Sequence, residues 1–112
     1  MTNVNNKVAI QFLRGKDEND NPEIRLFRNH NGNKSHAIYK FHKLSTITIE
    51  NYKSINKMYL LDIEGEISTN KIDIFISDNL IKEVSSTYNW NSLVEFERFM
   101  RFAERYAKSI TN

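Results

Sequence analysis

The chain has 112 residues, 39% hydrophobic and 27% charged, with 16 Lys and Arg against 14 Asp and Glu and a net charge of +2. This size predicts a single domain over residues 1–112 with a flexible N-terminus over about residues 1–6, and the charge is too evenly balanced to indicate nucleic acid. The absence of cysteine excludes disulfide frameworks, thiol catalysis and Cys-based zinc sites. The longest apolar run, Met58 to Leu61, is far short of the roughly 20 residues of a membrane helix.

Val8, Ile10 and Phe12 recur with period two and predict a first strand that ends at Arg14-Gly15. Lys16 to Pro22 reads as a polar loop, and Ile24 to Arg28 as a second strand. Ala37, Tyr39 and Phe41 mark a third, with Asn31-Gly32 as the hairpin turn between them. Thr46 to Ile49 is compatible with a strand or with part of a long connection from Leu44 to Ile55. Met58 to Ile63 reads as a strand turning at Glu64-Gly65 into Glu66 to Ile76. There Ile67 and Thr69 have the opposite parity to Ile72, Ile74 and Ile76, which predicts a bulge or kink near Asn70. After a turn at Asp78-Asn79, Leu80, Val84, Tyr88 and Trp90 are expected on one face of the last strand.

Ser92 and Glu95 have the spacing of a capping box and open an amphipathic helix running to Lys108. At about 100° per residue, Phe96, Phe99, Met100, Ala103, Tyr106, Ala107 and Ile110 share one broad side, with Phe102 at its border. Arg98, Arg101, Arg105 and Lys108 fall together on the other. Two readings of that cationic row stand open. It is either a solvated face laced by Glu97–Arg101 and Glu104–Lys108 pairs, or a contact face for a partner, a role arginine suits better than lysine. Strands first and one helix last predict an α+β fold: an antiparallel sheet of about five to six hairpin-connected strands with the helix packed on it.

Catalytic and metal-binding patterns are poor. His36 and His42 share strand parity but lie about 20 Å apart along an extended chain, too far for one metal ion. Asp17-x-Asn19-x-Asn21 opens like a calcium loop, but Pro22 stands where glycine is needed and Arg28 where a bidentate Glu is needed. Asp62, Glu64 and Glu66 surround a turn without the contrasting environments that separate an acid from a base. Asn33-Lys34-Ser35 fits a glycosylation sequon with nothing to suggest secretion, and Met1 to Phe12 has the pattern of neither a signal peptide nor a transit segment. The reading is a non-enzyme with no cofactor and no metal.

Four segments, IQFLRG at Ile10 to Gly15, IRLFR at Ile24 to Arg28, MYLLDIEGEI at Met58 to Ile67 and EFERFMRFAERYA at Glu95 to Ala107, resemble the photosystem II assembly factor family Psb twenty-eight of cyanobacteria and plastids. The segment from Leu44 to Lys57 departs from the family pattern. The resemblance implies a non-catalytic factor, monomeric when free. It would bind transiently to the stromal or cytoplasmic face of immature photosystem II, at the chlorophyll-binding inner antenna subunit and the reaction centre. It also implies peripheral attachment to a plastid or cyanobacterial thylakoid membrane, and the heavy use of Asn, Ile and Lys suits an AT-rich genome such as a plastid's. The partner would be the C-terminal tail of the antenna subunit, added as a strand to an open sheet edge, together with reaction-centre loops. Candidate partner-binding residues are Arg14, Arg25, Arg28, Arg98, Arg101, Arg105 and Lys108. The alternative reading is a small-ligand or pigment carrier in chlorophyll supply, which needs an apolar pocket between sheet and helix.

Overall fold

The computed structural model describes residues 7–28 and 35–110. Two four-stranded antiparallel sheets are followed by one helix. The first sheet has the order β2-β1-β5-β6, from Lys16–Asp17, Ala9–Leu13, Met58–Asp62 and Gly65–Thr69. The second has the order β3-β4-β8-β7, from Glu23–Arg28, Ser35–Phe41, Leu80–Trp90 and Lys71–Ser77. Helix α1 spans Leu93–Ile110. The α+β class with a C-terminal helix is as the sequence predicts. The eight strands in two sheets replace the expected five to six for two physical reasons. Lys16 and Asp17, expected in a loop, fold back onto β1 as a short strand. The stretch from Glu66 to Ile76 divides at Asn70, and each half joins a different sheet.

That division resolves the parity conflict without a bulge at Asn70. Ile67 faces inward opposite Leu60 in the first sheet, while Ile72 and Ile74 face the core from the second. The Thr69 hydroxyl donates to the Thr87 carbonyl at 2.6 Å and pins the crossing. The register shift lies instead between Phe75 and Ile76, where Phe75 pairs with Glu83 but Ile76 pairs with Ile81. The extra residue reverses the facing of the strand end, so Ile81 packs on the core and Leu80 is 57% exposed. Leu80 therefore does not share the face of Val84 as expected.

The turns follow local chemistry. Asp78 and Asn79 carry φ of 54 and 62, the pair of left-handed conformations that a two-residue type I′ hairpin demands. Asp62 pairs with Gly65 across a two-residue turn, and Gly65 adopts φ +120, a region open to a residue without Cβ. His30, the Asn31-Gly32 turn, the residues Asn33 and Lys34 of the sequon and the N-terminal residues 1–6 lie outside the described residues.

The segment from Leu44 to Ile55 is a connection rather than a strand. It is held from one side by Glu18, whose buried carboxylate accepts from the N–H and hydroxyl of both Ser45 and Thr46 and from the N–H of Asp20. Asp20 in turn accepts from the N–H groups of His42 and Lys43. From within, Ile47 is buried in the core and a short 3-10 turn forms at Tyr52–Ser54. Between β2 and β3, the residues with work to do are thus Glu18 and Asp20, which lie between the positions that mimic a calcium loop.

Helix α1 begins as predicted, with a variation. Glu95 N–H donates to Ser92 Oγ at 3.1 Å, and the Glu95 carboxylate accepts from the N–H of Asn91, one residue before the cap, at 2.8 Å. The core is shared by both sheets and the helix: Ile10, Phe12, Tyr39, Phe41, Met58, Leu60, Val84 and Trp90 meet Phe99, Phe102 and Tyr106. Phe102, assigned to the border by the sequence pattern, is fully buried, whereas Phe96 is half-buried and Ala107 and Ile110 are exposed. The packing stripe is rotated toward Phe102. No helix among the described residues is long and apolar enough to cross a membrane.

Candidate functional site

The rotation of the helix decides the fate of its arginines. At about 100° per residue Arg98 and Arg105 lie next to Phe102, on the flank of the buried stripe rather than opposite it. From that flank they reach the β5–β6 turn. Arg98 donates through both terminal nitrogens to the two oxygens of Asp62, at 2.9 and 2.7 Å, and to the Gly65 carbonyl at 3.3 Å. Arg105 donates to Asp62 at 2.9 Å and to Glu64 at 2.6 Å. Arg101 forks onto Glu64 at 2.7 and 2.9 Å. Three arginines and two carboxylates thus form one network that ties helix to turn.

Its electrostatics follow from the packing. Burial pushes the Asp62 carboxyl up, but the hydrogen bonds from Arg98 and Arg105 outweigh it, and the group stays below the ordinary range. Arg101 and then Arg105 lower Glu64 to about 2. The shared carboxylates raise Arg101 and Arg105 in return. Forked guanidinium–carboxylate pairs are strong and directional, so these arginines first of all hold the helix in register with the sheet. The solvated-face reading fails for Arg98, which is largely covered, while Arg101 and Arg105 keep an exposed side.

The other candidates are dispersed. Arg14 forks onto Glu66 at 2.8 and 3.1 Å and lies 4.2 Å from the centre of the Tyr59 ring. Lys108 is exposed in the last helical turn. Arg25 and Arg28 sit on β3, where Arg28 lies 4.6 Å from the centre of the Phe96 ring. The helix covers β4, β5 and β8 with its aromatic residues, and Arg28 on Phe96 is its link to β3.

β3 is consequently bare. All six of its residues are exposed, including Ile24, Leu26 and Phe27 at 37, 44 and 41%. It pairs with β4 alone, so its other edge has no strand among the described residues. Phe27 stacks on His36 with ring centres 4.8 Å apart, which holds the aromatic ring on the outer face of the sheet. The sequence pattern singled out Arg25 and Arg28 but not the apolar residues between them, because alternation looks the same on an edge strand as on a covered one. The acidic partners of the helix were visible as Asp62 and Glu64, and the signal for their role was three arginines on one helix flank matching a carboxylate-rich turn.

The Psb28 protein family model matches residues 10–111. The chain belongs to the Psb28 family. It is 61% identical over 111 residues to the photosystem II reaction center Psb28 protein of Prochlorococcus marinus (strain NATL2A), covering 99% of this chain and 98% of the relative. The protein of the same name from Parasynechococcus marenigrum (strain WH8102) is 39% identical over 103 residues, 92% of this chain and 81% of the relative. Within this Psb28 family member, the segment MYLLDIEGEI supplies Asp62 and Glu64, and EFERFMRFAERYA supplies the three arginines that meet them.

Proposed function

We propose that this chain is a non-catalytic factor of photosystem II assembly or repair, monomeric when free. In this reading it docks transiently on the stromal or cytoplasmic face of the complex, as a peripheral protein of a thylakoid membrane. Membership of a family whose relatives are named as photosystem II reaction center proteins supports the site of action. The observation that carries the mode of binding is β3: an open edge, six exposed residues, and an apolar strip flanked by Arg25 and Arg28. Such an edge accepts an extended peptide as a further strand, with main-chain hydrogen bonds giving affinity and alternate side chains giving specificity. The C-terminal tail of the inner antenna subunit is the proposed donor. Arg25, Arg28, the exposed sides of Arg101 and Arg105, Arg14 and Lys108 would orient the protein toward acidic reaction-centre loops or anionic lipid.

The test is capture of photosystem II intermediates from detergent-solubilised thylakoids. Intact chain should retain the antenna subunit, and the Leu26→Asp, Phe27→Asp double variant, which puts charge on the exposed strip of β3, should release it with little change in melting temperature. Removing the antenna tail should have the same effect. Undiminished capture without that tail overturns strand addition at β3.

A further inference from the structure

Where the chain crosses from β6 to β7 the two sheets part, and between β6 and the start of α1 they leave a groove of about 660 Å³. One wall is β6, which pairs with β5 on one side and turns its other edge toward the groove. The facing wall is the end of β8 and the first turn of the helix, with Tyr88, Asn91 and Val94. Val94 is 75% exposed although it is apolar, and Ile67, half-buried against the core, lines the same groove.

Positive charge predominates in the groove, with Lys57, Lys71 and Arg98 against the single carboxylate of Glu95. Glu95 is engaged by the Asn91 N–H, and Arg98 by Asp62. Lys57 and Lys71 remain, both exposed; Lys57 also acts through space on Glu66, and neither lysine is within salt-bridge distance of a carboxylate among the described residues. Asparagine, serine and threonine make up much of the remaining lining, which suits main-chain amides better than a wholly apolar guest.

We propose that this groove is a second docking site, for an acidic, extended segment of a partner protein. Its carboxylates answer to Lys57 and Lys71, and an apolar side chain between them rests on Val94 and Ile67. The groove lies where the two sheets part and includes no residue of β3, so it stands or falls independently of the function proposed above.

The experiment is an amide NMR titration of the full chain with a blocked Val-Asp-Val-Asp-Val peptide, set against its Val-Asn-Val-Asn-Val counterpart. Saturable shifts are expected at Ile67, Asn70, Asn91 and Val94 with the acidic peptide. Lys57→Glu and Lys71→Glu should each weaken binding about tenfold, equivalent to about 1.4 kcal/mol, with spectra otherwise unchanged; Lys57→Gln and Lys71→Gln replace any variant that fails to fold. Equal affinity for the neutral peptide overturns the proposal, as do shifts confined to β3 or to the arginine network. Sodium acetate reproducing the same shifts with the same affinity would mark a simple anion site and overturn it too.

Discussion

Asp62 and Arg98 are joined by two parallel hydrogen bonds, at 2.9 and 2.7 Å, with the carboxylate fully covered and the guanidinium nearly so. The pair fastens the second turn of the helix to the β5–β6 hairpin. Taking away the carboxylate leaves Arg98 with only the Gly65 carbonyl and a 3.7 Å contact to Glu64, and breaking a buried pair costs about 3–5 kcal/mol at most. Asp62→Ala should therefore lower the free energy of unfolding by about 3 kcal/mol in urea, far more than Glu66→Ala at the exposed Arg14 pair.

Acid should act on the same hairpin. The folded carboxyls of Asp62 and Glu64 are depressed, so their contribution is complete above the ordinary carboxylate range and disappears as pH falls through the folded values. For Glu64 the window runs from 4.5 down to about 2. Unfolding midpoints should fall across that window, and the Asp62→Asn, Glu64→Gln double variant should show a flatter profile.

Glu18 makes a separate prediction about mobility. Burial pushes its carboxyl up, and donors from Asp20, Ser45 and Thr46 hold it below the ordinary range nonetheless. Glu18→Gln weakens several charge-assisted bonds, each worth about 1.5–3 kcal/mol. Hydrogen exchange should quicken at Ser45 and Thr46 in that variant while the amides of β4 and β8 stay protected.

Phe102 and Phe96 should separate cleanly. Phe102→Ala empties a covered site and should cost about 3–5 kcal/mol. Phe96→Ala should cost less, and Arg28→Gln should remove only the cation–π contribution of about 0.5–1 kcal/mol. Thermal melts of the three variants order these effects directly.

The sequence revealed period and punctuation well. Alternation located the strands other than Lys16–Asp17, Ser92 and Glu95 located the helix start, and the parity conflict at Asn70 marked a real discontinuity. It did not reveal which sheet each strand would join, since that depends on pairings such as Ala9 with Leu61 and Phe41 with Val84, nearly half the chain apart. The helical wheel found the arginine row but not its rotation, because the depth of Phe102 is set by the two sheets beneath it. β3 was recognised as a strand, while its exposure depended on where a single helix stops short.

The crossing at Asn70 also bears on how the molecule forms. A single residue separates β6 from β7, and although four of the six strand pairings join neighbours in sequence, each sheet is closed by one pairing between opposite halves of the chain, β1 with β5 and β4 with β8. Hairpins can close quickly, but the shared interior assembles only when distant segments have met, which favours slow and concerted acquisition of structure.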